Sequence, residues 1–562
     1  MNGKTPSAPS GGLLSKLLPK RFDFWTAVML AGFVLIGIFI IYPFSRLLYQ
    51  SFFDKHGEWS LVNYTTFFQK RYYRATLYNS LKVCFFTTVL SVLVGVPLAY
   101  IATRYNIWLK KIINVMIVLS LMSPPFIGAY SWILLLGRSG FITKTLESVG
   151  ISIGSIYGFH GILLVFTLKL FPFVYLYVAG ALGSIDYSLE EAAENLGVSG
   201  LRKLVTVTFP LILPTILSSA LIVFMNSLAD YGTPYLLGEG YRVLPVTIFD
   251  EYMSEVGGNI NFASALSVII VLCSLSVLLV QKRVIDKRSY NMSALRPPPV
   301  RTLAAGRRFI ATAIVFLVAL LAVLPQITVV VTSFMKTNGP RFVDGYSLDS
   351  YRQVMFKLSR NIINTFTFSL AALLVMMLVG LVLSYIVVRR KSRASSLIDL
   401  LVMFPYVIPG SVLGISLVSA FNTGSIVLTG TATILIVSYV IRKLPYTLRS
   451  SIGILYQIDP SVEEASISLG VPPMATFFKI TARMMLPGLL SGAVLSFIST
   501  INELSSTLIL YSARTGTISV AIFSEIIRDG FGAAAALSTI LTLATVIALA
   551  VFNKLSGGKS VV

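Results

Sequence analysis

Apolar runs long enough to cross a lipid bilayer recur along the whole of this 562-residue chain. A membrane-spanning helix needs roughly 20 mostly apolar residues, and about twelve such runs can be found, six on each side of a polar break. Charged residues make up only 12% of the sequence, which is about half of their share in a soluble domain. The runs therefore predict an all-α polytopic membrane protein with about 12 transmembrane helices. Examples are residues 24–48, 80–102, 112–136, 310–334 and 366–388.

The net charge of +22 is concentrated in clusters between the apolar runs. Between residues 282 and 308, eight Lys and Arg residues accompany a single acid, Asp286. Other clusters lie at residues 16–21, 104–111 and 389–393, at alternate ends of successive runs. Basic residues collect on the cytoplasmic side of membrane proteins. We therefore expect a membrane protein with cytoplasmic N- and C-termini, surrounded by membrane lipid and not by nucleic acid; a lipid- or nucleic-acid-binding role for the charges is the alternative.

A polar segment with three consecutive prolines, residues 297–299, divides the chain into two related halves. We expect a disordered cytoplasmic N-terminus over 1–22, a first half over 23–284 and a cytoplasmic linker over 285–308. A second half over 309–555 and a cytoplasmic tail over 556–562 would complete the chain. Two parallel halves of six helices each are the simplest architecture. The residues that recur 285 positions later are Asn79, Gly95, Tyr100 and Arg104, matched by Asn364, Gly380, Tyr385 and Arg389.

Two polar stretches, residues 184–214 and 457–487, also match each other at a spacing of 273. Each predicts a short amphipathic helix between long apolar runs. Ser188 and Ser461 are candidate N-caps because each has a Glu three residues later, the spacing of a capping box. A Gly in each stretch predicts the left-handed residue that ends a helix. The matched pairs are Asp186 and Asp459, Glu191 and Glu464, Ala192 and Ala465, Gly197 and Gly470, and Pro214 and Pro487.

The paired stretches resemble the EAA–Gly loop by which permeases of binding-protein-dependent ABC importers hold a cytoplasmic ATPase. Within that family the chain is most similar to the fused permeases of the ferric-iron type, through residues 123–132, 229–238 and 501–510. The resemblance implies a place in the bacterial inner membrane, two ATP-binding cassette subunits on the cytoplasmic face, ATP and Mg on those subunits, and an external, periplasmic solute-binding protein. It assigns ATPase coupling to six residues; a connector helix without a partner is the alternative. These residues are Glu191, Ala192, Gly197, Glu464, Ala465 and Gly470.

One departure from symmetry lies where each stretch leads into the next apolar run. The second stretch has Arg483 where the first has Pro210. Proline fixes one backbone angle, so we expect the exit of the second stretch to be less rigid and the two ATPase contacts to be unequal.

Neither catalysis nor a resident cofactor is expected on this chain. The one near-match to a phosphate-binding loop is GGKS at residues 557–560, where Asn553 replaces the first glycine and no strand precedes. The two Cys and two His residues are isolated from one another, so no metal site or disulfide is assigned. We expect a transport subunit, with ATP hydrolysis carried out by its partners.

Four charges fall inside apolar runs, where an unpaired charge costs roughly 2.5–3.5 kcal/mol. Lys169 matches Arg442, and Asp230 matches Glu503, both at the spacing of 273. They either form one structural ion pair in each half or line the translocation path. Acids on the path would favour ferric iron, our preferred solute, whereas the basic pair would favour a phosphorylated sugar, a phosphonate or another small organic solute. An ion-gradient-driven secondary transporter is the alternative of another class.

Overall fold

The computed structural model describes residues 23–121, 123–124, 126–254, 258–286, 298–339, 341–424 and 426–555. The expected N-terminus over 1–22, much of the linker and the tail over 556–562 lie outside these described residues.

Within the described ranges, nine helices are long and apolar enough to cross a membrane. A tenth span results if Arg393–Val407 and Gly410–Phe421, which are bent by 111° at a short break, count as one. The helix Ala432–Gln457 has 26 residues but contains the charged residues Arg442 and Lys443, which lower its apolar character. The all-α polytopic membrane fold is confirmed, and the count of about twelve runs includes segments that are broken or charged.

The described residues of the first half form helices and two π-helical segments. In chain order the helices are α1 (Phe24–Ile36), α2 (Tyr42–Gln50), α3 (Val62–Gln69), α4 (Arg71–Arg104), α5 (Lys110–Leu121), α6 (Ile127–Leu136), α7 (Phe141–Ser148), α8 (Phe159–Gly183), α9 (Tyr187–Asn195), α10 (Gly200–Lys203), α11 (Phe209–Ala229), α12 (Gly232–Leu237), α13 (Leu244–Met253) and α14 (Ile260–Asp286). The π-helical segments are Gly37–Ile41 and Leu204–Thr208.

The second half repeats this order and adds a β-hairpin after its first helix. Its elements are α15 (Ala305–Ser333), β1 (Met335–Asn338), β2 (Arg341–Tyr346), α16 (Asp349–Lys357), α17 (Ser359–Arg389), α18 (Arg393–Val407), α19 (Gly410–Phe421), α20 (Ala432–Gln457), α21 (Ser461–Ser468), α22 (Pro473–Thr476), the π-helical segment Phe477–Thr481, α23 (Ala482–Ile501), α24 (Thr507–Leu510), α25 (Ile518–Ile527) and α26 (Phe531–Leu555). The two strands pair antiparallel.

A close helix crossing holds each half together at equivalent positions. A Cβ atom on Gly95 of α4 would lie 2.7 Å from the Cβ of Val174 on α8. A Cβ on Gly380 of α17 would lie 2.9 Å from Cγ2 of Thr447 on α20. Small residues let helix backbones approach closely in a membrane. The recurrence of these glycines is therefore explained by packing.

The first helix of each half packs against the other half as well as against the last helix of its own. Helices α1 and α2 contact α17, α18 and α19, and α15 contacts α5 and α6. Hydrogen bonds also join α15 to the first half; for example, Gln326 donates to the Leu119 carbonyl at 2.7 Å, and Ser131 donates to the Pro325 carbonyl at 2.8 Å. Each half is therefore packed against the first helix of the other half.

Candidate functional site: the docking loops and the intramembrane charges

Both matched polar stretches form a short helix at one end of the bundle, α9 and α21. We call residues 184–208 and 457–481 the first and second docking loops. The predicted capping by Ser188 and Ser461 is wrong. The carboxylate of Asp186 accepts from the backbone N–H of Ser188 at 3.0 Å, and Asp459 accepts from Ser461 at 2.9 Å. An Asp readily makes this local turn, and the N–H of Ser461 lowers the pKa of Asp459.

Each docking helix ends in the same hydrogen-bonded turn. Gly197 and Gly470 have φ values of +80° and +87°, in the left-handed region that the sequence predicts. In the first loop, the N–H of Gly197 donates to the Glu194 carbonyl and that of Val198 to the Ala193 carbonyl, both at 2.9 Å. The second loop has the equivalent bonds. This pair of bonds defines a Schellman motif, which fixes where the chain leaves the helix.

A buried ion pair fastens the second docking helix to the long helix α17. Arg389, at the end of α17, donates through Nε to Oε1 of Glu463 at 3.0 Å and through Nη2 to the Ile458 carbonyl at 2.8 Å. The hydroxyl of Tyr385 donates to Oε2 of Glu463 at 3.1 Å. Glu463 is therefore held at both carboxylate oxygens.

The first docking helix is fastened in the same way but with more charges. Nη2 of Arg104, at the end of α4, lies 2.5 Å from Oε1 of the buried Glu190. Lys203 approaches Glu190 at 3.6 Å and Glu194 at 2.5 Å. Arg301 of the linker also reaches Glu194, at 3.3 Å, and the hydrogen bond from Lys203 lowers the pKa of Glu194. This loop is thus held by charges from the loop itself, from α4 and from the linker.

Sequence reasoning missed Glu190 and Glu463 because the motif directs attention to the next residue. The signal was present in the sequence: Glu190 recurs as Glu463, and Arg104 recurs as Arg389. Opposite charges that both recur in a membrane protein favour a duplicated ion pair.

The residues assigned to coupling lie on the other side of the docking helices. Glu464 and Ala465 are exposed, as is Ala192, while Glu191 is half-buried. Leu196 and Leu469, which follow the helices at equivalent positions, are 82% and 85% exposed. A leucine exposed at the same position of each loop gives a partner protein two matching apolar side chains to contact. The two leucines were also missed by sequence reasoning.

The two exits from the docking loops have the same backbone form, although Pro210 of the first is replaced by Arg483 in the second; the expected difference in rigidity and in the ATPase contacts stays a prediction. Leu204–Thr208 and Phe477–Thr481 are both π-helical and lie 273 positions apart. Because the second exit adopts this form without a proline at the equivalent position, Pro210 is not what sets the geometry. The two loops do differ in their ion pairs.

The intramembrane charges of each half lie together. In the first half, Nζ of Lys169 is 2.7 Å from Oδ2 of Asp230. In the second, Nη1 of Arg442 is 2.5 Å and Nζ of Lys443 is 2.7 Å from the two oxygens of Glu503. Lys443 was missed because Leu170 occupies its position in the first half. The second cluster therefore has two cations for one carboxylate.

Both acids also lie at a break between two helices, α11 and α12 in the first half and α23 and α24 in the second. Asp230 directly follows α11, and its Oδ1 accepts from the N–H of Thr233 at 2.9 Å, at the start of α12. Glu503 lies between α23 and α24 and accepts from the N–H of Ser506 at 3.3 Å. Each carboxylate thus accepts a backbone hydrogen bond at the break and also pairs with a cation, on α8 in the first half and on α20 in the second.

Within the described ranges, no three His, Cys, Asp or Glu side chains lie close enough together to hold a metal ion.

Comparison with known proteins matches the chain to one family model twice. The model is described as the binding-protein-dependent transport system inner membrane component, and it matches residues 91–290 and 376–557, more than half of the chain. The ferric transport system permease protein FbpB of Actinobacillus pleuropneumoniae is 30% identical over 551 residues, 95% of this chain and 78% of that protein.

Two further relatives differ in length. The Fe(3+)-transport system permease protein FbpB 2 of Haemophilus influenzae is 26% identical over 94% of this chain and 97% of its own length. The molybdenum transport system permease protein ModB of the same organism is 30% identical over 206 residues, 36% of this chain but 88% of that protein. One relative therefore matches nearly the whole chain, and the other is about the size of one half.

Proposed function

This chain belongs to the inner membrane components of binding-protein-dependent transport systems and is an ABC importer permease with two fused halves; on that premise we propose that the solute it conducts is ferric iron. The observation that carries the proposal is the 30% identity to a ferric transport permease over 95% of the chain. The iron is cargo, delivered by an external binding protein and released into the cytoplasm.

Two ATP-binding cassette subunits would bind at the docking loops, one at each, and would hold ATP and Mg. Support for these contacts comes from the accessible surface of each docking helix. Leu196 and Leu469 offer exposed apolar side chains at the ends of these helices, and Glu464 is exposed as well. In this arrangement the docking loops, the linker and both termini face the cytoplasm of the inner membrane. The chain itself would hydrolyse no ATP.

An anionic solute is the second candidate. The cluster of Arg442, Lys443 and Glu503 has one cation more than it has carboxylates. A surplus positive charge inside a membrane favours a negatively charged passenger, such as a phosphorylated sugar or a phosphonate. In this case the cluster would face the translocation path. For a ferric-iron permease, the charges need only form structural ion pairs between helices.

The function is tested by uptake into proteoliposomes that contain the tagged permease with its co-purified ATPase and the cognate binding protein. We expect uptake of radiolabelled ferric iron that requires internal ATP and stops without the binding protein. A phosphorylated sugar in excess should not compete. Uptake driven by an ion gradient without an ATPase would instead identify a secondary transporter, and competition by the sugar would favour the second candidate.

Coupling is tested at the two glycines that end the docking helices. A left-handed residue with a side chain costs roughly 1–2 kcal/mol, and a β-branched one is a steric outlier there. Gly197→Val combined with Gly470→Val should therefore sharply reduce transport and solute-stimulated ATP hydrolysis. The space around both glycines is open, so the bundle should still fold, as measured by thermal unfolding.

The matched control replaces both glycines with Asn, which tolerates the left-handed region better than other side chains. It should retain most of the activity that the Val pair loses. Normal transport by the double Val variant would show that the turn does not position the ATPase contacts.

A further inference from the structure

A basic cavity and an apolar groove adjoin each other where α1 of the first half packs on α17 of the second. The cavity has a volume of about 260 Å³ and is lined by Asp23, Met29, Ile386, Arg390 and Lys391, among others. The groove has a volume of about 420 Å³, and its lining is apolar throughout. It includes Gly32, Leu35, Phe39, Val379 and Leu383.

The cavity and the groove follow each other along both helices. On α1 the cavity ends at Met29 and the groove includes Gly32, less than one turn further on. On α17 the cavity reaches Ile386 and the groove includes Leu383. A molecule with a polar end and an apolar end could therefore occupy both spaces at once.

The depth of the groove fits one leaflet of a bilayer. Its lining on the first helix runs from Val28 to Ile40, a rise of about 18 Å at 1.5 Å per residue. Half of the hydrocarbon core of a bilayer is about 15 Å. Trp25, beside the cavity, packs on Tyr385 with 4.4 Å between ring centroids, and aromatic residues commonly mark the membrane interface. The cavity thus lies at headgroup level, at the end of the bundle that carries the docking loops.

The charge of the cavity is positive. Arg389, Arg390 and Lys391 line it against one carboxylate, Asp23. Arg389 is held by Glu463, and Arg390 shares Asp23 at 2.8 Å. Among the described residues, Lys391 has no carboxylate partner and lies 6.0 Å over the ring of Tyr456. A cation therefore remains for a ligand.

We propose that this composite site binds an anionic phospholipid, with the phosphate in the basic cavity and one acyl chain in the apolar groove. Basic pockets between transmembrane helices hold acidic lipid headgroups by the same charge complementarity. The site lies at the junction of the two halves, and its Arg389 also fastens the second docking helix. A lipid there would bridge the halves beside one of the two docking loops.

Lipid retention by the purified full-length chain tests the proposal, with native mass spectrometry as the readout. The probes are phosphatidylglycerol and phosphatidylcholine with identical acyl chains, added after delipidation. Phosphatidylglycerol should bind at least several-fold more tightly. Equal binding of the two lipids would overturn the proposal. Displacement of phosphatidylglycerol by inorganic phosphate would also overturn it, because the site would then be one for a free anion.

The groove is tested by filling it. Ala31 lines the groove and is exposed, so Ala31→Trp should remove the tightly held lipid without disturbing helix packing. The matched control is Val34→Trp, since Val34 is 59% exposed on the same helix but does not line the groove. Equal lipid retention by the two variants would contradict a bound acyl chain.

The headgroup contacts are tested by removing charge. Each basic residue near an anionic lipid contributes about a fivefold gain in affinity, so Arg390→Gln with Lys391→Gln should weaken phosphatidylglycerol binding on the order of 25-fold. The control removes two exposed charges in the first half, Lys110→Gln with Lys111→Gln, and should change binding little. An equal loss in both double variants would reflect net charge alone and would refute a specific site.

Discussion

Replacing Glu503 with Gln should destabilise the bundle by about 3–5 kcal/mol, because a buried ion pair that loses one partner leaves a charge uncompensated. Here two cations, Arg442 and Lys443, would be left without a carboxylate. Glu503 is only 5% exposed, so water offers little relief. The measurement is thermal unfolding of the purified variant beside the wild type.

The first half provides a matched comparison for this variant. Asp230 has one cationic partner, and its side chain is 16% exposed, so Asp230→Asn should cost less, about 1.5–3 kcal/mol for a charged hydrogen bond. Equal unfolding temperatures for the two variants would contradict the inference that the charge cluster of the second half stabilises the bundle more than that of the first.

Removing all the charges of the second cluster distinguishes a structural role of these residues from a role on the solute path. A triple variant, Glu503→Gln with Arg442→Gln and Lys443→Leu, removes all three charges, and neutral replacement of a whole buried ion pair is often tolerated. We expect it to unfold near the wild-type temperature and to transport solute. A triple variant that folds but does not transport would place the cluster on the solute path.

Replacing Glu463 with Ala should uncouple ATP hydrolysis from transport while the bundle remains folded. The variant leaves Arg389 and Tyr385 without their shared carboxylate, and loss of one partner of a buried pair costs about 3–5 kcal/mol locally. The second docking helix should then move independently of α17. Amide hydrogen exchange should rise over residues 459–471 and stay unchanged within α17.

A variant of Glu464 distinguishes a residue that contacts the ATPase from one that positions the docking helix. Glu464 is exposed, so Glu464→Gln should leave hydrogen exchange in the loop unchanged and weaken only the binding of the ATPase. An exchange pattern shared by both variants would mean that Glu463 has no special role in holding the helix. Charge reversal of the pair, Arg389→Glu with Glu463→Arg, should restore part of the protection.

Features that depend on short-range pattern could be predicted from the sequence. Apolar runs fixed by bilayer thickness give the polytopic class, and the two repeats give the halves. The left-handed turns at Gly197 and Gly470 follow from a glycine at the end of a short amphipathic helix. The proximity of Lys169 to Asp230 was one of two alternatives because an unpaired charge is costly in a membrane.

Features that depend on distant contacts could not be predicted in the same way. The capping assignments failed because both helices already include the serines, whose own N–H groups donate to Asp186 and Asp459. Lys443 has no counterpart to mark it, since Leu170 takes its place. The packing of α1 on the second half leaves no local pattern at all, because any apolar helix face suits lipid as well as protein.

The packing of α1 and α2 against the second half also affects how the protein is made. At about 5–20 residues per second, the ribosome needs ~17–68 s after completing α2 to produce α17, against which α1 packs. During that interval α1 and α2 must remain in lipid or beside an insertion factor, with the surface meant for α17, α18 and α19 uncovered. Biogenesis of the first half is therefore complete only when the second half arrives, so a break in synthesis within the linker should yield a product that quality-control proteases recognise.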